Sequence, residues 1–97
     1  MRLSNDAFKV AFDLPDVPTV SQIMRYDSAK IMADGAPILI TLWECARTVM
    51  EGWECEYVPS PDVPLDTLTG IEAAQAVEWA GVQVSLWRSG MNEVPKN

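Results

Sequence analysis

The sequence predicts a mainly α fold: a three-helix domain with an N-terminal extended arm, in which residues 7–13 and 53–58 are able to pair as a small two-stranded β-hairpin of distant segments. Three observations lead there. Apolar residues recur at three- and four-residue spacing in separate segments, the mark of helices that bury one side. Two segments open on a Thr followed three residues later by Gln or Glu, a capping-box spacing that satisfies orphan backbone donors. Proline clusters at 15–18 and 59–64 interrupt the chain, because proline lacks the backbone N–H that helices and ladders need.

Residues 1–18 form the arm. Phe8, Val10, Phe12 and Leu14 alternate with Ala7, Lys9, Ala11 and Asp13, the period of a half-buried strand, until Pro15-Asp16-Val17-Pro18 stops it. Helix 1 is expected over 19–34, started by Thr19 and Gln22 and ended at Asp34-Gly35. Helix 2 is expected over 37–53. Pro37 suits its first turn, and Leu39, Leu42, Trp43, Ala46, Val49, Met50 and Trp53 form its apolar stripe. Residues 54–70 read as a short strand followed by a proline-rich loop. Thr69-Gly70-Ile71-Glu72 repeats the capping-box spacing and opens helix 3 over 71–90, with Ala73, Val77, Ala80, Val84 and Trp87 on one line. Residues 91–97 read as a frayed tail.

Ninety-seven residues make one domain with one core, burying roughly two-thirds of the unfolded surface. The net charge is −7, and its placement is uneven. Glu51, Glu54, Glu56, Asp62, Asp66, Glu72 and Glu78 lie between Arg47 and Arg88 with no basic residue among them. Such a field argues against direct nucleic-acid binding, which runs on Lys and Arg. The N-terminus has no signal-peptide run and no stretch approaches a membrane span, so the expected place is the cytoplasm. Cys45 and Cys55 are expected reduced, too few for a disulfide framework.

The chain contains no histidine, which removes Ser-His and Cys-His catalysis. Glu51 and Glu54 read as a solvated face. Asp62 and Asp66 lack the calcium-loop pattern, and no glycine-rich phosphate loop occurs. The sequence therefore predicts a non-enzymatic protein with no cofactor and no metal. Its four tryptophans suggest a binder instead. Trp43 and Trp53 lie on the stripe of helix 2 and read as core. Trp79 falls about 200° round its helix from Val77, so Trp79 and Trp87, flanked by Glu72 and Glu78, are the expected partner-binding patch. Met24, Met32, Met50 and Met91 supply either adaptable apolar surface or core filling.

Leu14-Pro15-Asp16-Val17-Pro18-Thr19-Val20-Ser21-Gln22 opening one helix, Leu42-Trp43-Glu44 in a second, Trp79-Ala80-Gly81, and the terminal Val94-Pro95-Lys96-Asn97 give a layout that spans most of the chain. This layout resembles small proteins from the tail-assembly region of long-tailed bacteriophages, some of them tail assembly chaperones. The resemblance implies a helical, acidic binder in the host cytoplasm that shields an aggregation-prone tail or tape-measure protein, or else a small virion component. An alternative from another class is an acidic phage inhibitor that imitates nucleic acid and occupies the basic groove of a host complex. The first binds through Trp, Met and Leu with weak salt dependence. The second binds through carboxylates and weakens steeply with salt.

Overall fold

A computed structural model describes residues 1–91. The elements are β1 (Arg2–Asn5), β2 (Val10–Asp13), α1 (Val20–Met32), α2 (Ile38–Ala46), β3 (Glu51–Cys55), a single 3-10 turn (Leu65–Thr67) and α3 (Ile71–Gly90). The strands form one antiparallel sheet in the order β1-β2-β3. The domain is thus of mixed α and β structure, which corrects the mainly α expectation of an arm and at most a two-stranded pairing. The expected tail lies outside the described residues apart from Met91.

The missing strand is β1, and a tight turn makes it. The Asn5 side-chain oxygen accepts from the backbone N–H groups of Ala7 and Phe8, at 2.9 and 3.2 Å, so the amide itself holds the reversal. Lys9 completes it with φ at 51°, a left-handed conformation uncommon outside glycine. The chain then returns as β2, pairing Leu3 with Phe12 and Asn5 with Val10. On its other side β2 pairs with β3, Val10 against Cys55 and Ala11 against Glu54, with an irregularity before Asp13.

Helix 2 was expected to run to residue 53, and it ends at Ala46. The backbone N–H groups of Arg47 and Thr48 still bond back to Trp43 and Cys45, and the Thr48 hydroxyl donates to the Cys45 carbonyl at 2.7 Å, closing the end. Four residues beyond Thr48, Gly52 takes φ of 60° inside β3. The apolar stripe is continuous across this break because Val49 and Trp53 serve the same core from a turn and a strand. Trp53 stacks on Phe12 with ring centres 6.0 Å apart and meets Trp43 edge-on at 5.5 Å.

The two capping boxes fare differently. At α1 both bonds form: the Thr19 hydroxyl accepts from the Gln22 N–H, and the Gln22 side chain accepts from the Thr19 N–H. At α3 the residue before the helix is Gly70, with φ of 93° and no side-chain cap, so Thr69 does not play the expected part.

The core lies between the sheet and the helices. Val10, Phe12 and Leu14 face inward from the β2 region, Trp43, Cys45 and Ala46 from α2, and Ala73, Ala76, Val77, Ala80 and Val84 from α3. The small residues of α3 let α2 approach closely: a β-carbon at Gly81 would stand 2.9 Å from Cβ of Leu42.

Candidate functional site

α1 is turned with four of its five large aliphatic side chains outward, Ile23 alone being half-buried. Only Tyr26 is buried, whereas Val20, Met24, Ile31 and Met32 are 73%, 62%, 75% and 87% exposed. At 100° per residue Val20, Met24 and Ile31 fall within about 40° of one another, and Met32 lies about 120° from Val20. Burial of Tyr26 and the Asp27–Arg88 ion pair to α3 fix this rotation: Arg88 donates to both Asp27 oxygens, at 3.0 and 2.8 Å. The guanidinium bonds hold the Asp27 carboxyl below its ordinary value. Burial raises that of the Tyr26 phenol.

Val20, Met24 and Met32 of this face line one wall of an open groove, and exposed Ile31 lies beside it, outside the lining. Two adjoining hollows of about 540 and 760 Å³ share Ala29, Met32, Arg47 and Thr48; one extends to Ile40 of α2, the other to Val20, Met24 and Arg25. A smaller apolar hollow of about 260 Å³ begins on the far side of Ile40, between Leu39, Leu65, Leu68 and Val77. Exposed Ile38 and Ile40 continue the apolar surface. A cluster of this kind on a small protein marks an interaction site more often than isolated exposed residues do.

Charge around the groove is close to balanced. Arg47 contacts Glu44 at 3.3 Å and Asp62 at 3.4 Å, while Arg25 makes no ion pair among the described residues. Elsewhere the fold redistributes the acidic stretch. Arg2 reaches Asp13 and Glu54, at 2.9 and 3.3 Å, and Lys9 lies 3.9 Å from Glu56. Three basic residues from other parts of the chain thus stand over the run of acids. Among the described residues Glu51, Asp66, Glu72 and Glu78 of that run form no ion pair, and they are spread over β3, the 3-10 turn and α3.

The expected patch is not assembled as one surface. Trp79 is half-buried, its ring edge-on to Phe12 at 5.8 Å. Trp87 is half-buried too, its indole N–H donating to the Pro15 carbonyl at 3.1 Å. The two lie eight residues apart on α3, about 12 Å along the axis and about 80° round it. Glu72 and Glu78 are exposed. Both indoles are therefore engaged in holding the fold. The sequence leaves Met24 and Met32 as either adaptable apolar surface or core filling, and does not join them to Val20, Ile31 and Ile40; both are exposed.

Both cysteines are free, Cys45 buried with its thiol pushed up by that burial. Among the described residues no cluster of His, Cys, Asp or Glu is arranged to hold a metal, and no helix is long and apolar enough to cross a membrane. No protein-family model matches the chain, and neither does any curated protein or solved structure.

Proposed function

We propose that the chain is a non-enzymatic, acidic protein-binding module whose contact surface is the α1 groove. The observation that carries the reading is the outward row of Val20, Met24, Ile31 and Met32, four aliphatic side chains left to water by a helix that contributes one buried residue to the core. Exposed apolar area of this size costs solubility unless something covers it. The excess negative charge offsets that cost, since a net charge far from zero keeps a protein dispersed. Methionine suits a surface that must adapt to its partner.

The setting we propose is phage tail assembly in the host cytoplasm, with a tail or tape-measure protein as the partner. Its support is the resemblance in sequence layout together with a surface fitted to shielding an apolar segment. The nucleic-acid-mimic reading has less support, because Arg2, Lys9 and Arg47 sit over Glu54, Glu56 and Asp62 and leave the remaining acids of the stretch dispersed.

The test is co-expression with a candidate tail protein from the native host, comparing the wild type with Met24→Glu and Met32→Glu. The reading expects the tail protein to remain soluble and to co-purify with the wild type only. Equal recovery with both variants, provided that they fold, would sink it.

A further inference from the structure

Resting on that reading of the groove, we infer that its occupant is an amphipathic α-helix of a partner protein that carries a carboxylate against Arg25. The groove runs between α1 and the end of α2, and neither β1 nor β3, the outer strands of the sheet, contributes to its lining. An extended segment laid there would find no strand edge to pair with and would lose water from its own N–H and C=O groups. A helix arrives with those groups already satisfied. α1 has 13 residues and so offers a wall of about 20 Å, enough for three to four turns of a partner helix.

Charge selects among such helices. Arg25 and Lys30 are the two described cations outside any ion pair, and of these only Arg25 lines the groove. Arg47 is already held by Glu44 and Asp62. A carboxylate on the rim of the incoming helix meets Arg25, whereas a cation there is repelled. A second copy of this chain is a poorer occupant because it brings another net charge of −7 toward the same surface.

The probes are synthetic helical peptides of about 18 residues, long enough to cover α1. They share one Leu/Ala face and differ only in carrying Glu, Gln or Lys at one rim position. Affinities are measured by fluorescence anisotropy for the wild type, Arg25→Gln, Arg25→Glu and Met32→Glu. The Glu peptide is expected to bind the wild type about three- to tenfold more tightly than the Lys peptide. Arg25→Gln should flatten that order, Arg25→Glu reverse it, and Met32→Glu weaken all three peptides. Equal affinities unaffected by Arg25→Glu would overturn the carboxylate while leaving the groove as a contact surface. Failure of every peptide to bind would overturn the helix, and retention of the tail protein by Met32→Glu would in addition remove the groove. Sedimentation showing a dimer that Met32→Glu dissolves would make the second copy the occupant and also overturn the inference.

Discussion

Arg88 and Asp27, 61 residues apart in sequence, form a two-pronged ion pair that ties the last turns of α3 to the middle of α1. With Tyr26 buried beside it, this contact sets which side of α1 faces the core and which faces water.

Breaking the pair should loosen α1. Asp27→Asn and Arg88→Ala are each expected to cost about 0.5–1.5 kcal/mol by urea denaturation at pH 7, modest because Asp27 is partly solvated. The Arg88 bonds hold the Asp27 carboxyl below its ordinary value. The contribution is therefore full above the unfolded carboxylate value of about 3.9 and is lost as pH falls through the lower folded one. The difference between wild type and Asp27→Asn should shrink steadily below about pH 4. A difference that grows on acidification would contradict the assignment.

Tyr26 supplies the opposite limb. Its phenol is raised by burial, so the folded state disfavours the phenolate. Stability is full below the unfolded value of about 10 and falls as pH rises toward the folded one. Tyr26→Phe should flatten that alkaline decline in a thermal melt, and an unchanged decline would place its cause elsewhere.

The α2–α3 contact depends on Gly81. Gly81→Val should cost about 1–3 kcal/mol through overpacking against Leu42, and Leu42→Ala should recover part of that loss. Phe12→Ala, which empties the centre shared by Trp53 and Trp79, should cost about 3–5 kcal/mol, and Glu56→Ala on the surface little. Denaturant midpoints rank the four variants. A Glu56→Ala loss equal to that of Phe12→Ala would show that the core is misplaced.

Both thiols are free, so reducing agent should leave the melting temperature unchanged. Cys55, half-buried, should react with a thiol reagent faster than Cys45, which is buried and whose thiol is raised. Faster labelling of Cys45 would mean that α2 opens readily.

Much of this architecture is legible in the residues. The bonds between Thr19 and Gln22 begin α1 where their spacing says, and the periodicity of Ala73, Val77, Ala80 and Val84 marks α3. β1 was not legible, because four residues containing a single aliphatic, Leu3, carry no period, and the signal lies in the Asn5 turn that follows. The end of α2 was hidden for another reason. Val49 and Trp53 keep a helical spacing while serving the same core from a turn and a strand, so the pattern records burial and not backbone. The groove was the least legible part. Sequence supplies Val20, Met24 and Ile31 on one face of α1, but whether that face turns inward is decided by Tyr26 and by Arg88, far away in the chain. Trp79 and Trp87 point the other way: indoles favoured at interfaces are here engaged by Phe12 and Pro15.

The methyl resonances of the methionines test the central claim most directly. With 13C-methyl methionine and a soluble paramagnetic agent, Met24 and Met32 should broaden strongly in the isolated protein and Met50, half-buried, much less. In a complex with the proposed tail-protein partner, Met24 and Met32 should become protected while Met50 is unchanged. Shielding of Met24 and Met32 in the isolated protein, or their continued exposure in the complex, would contradict the groove as the binding surface.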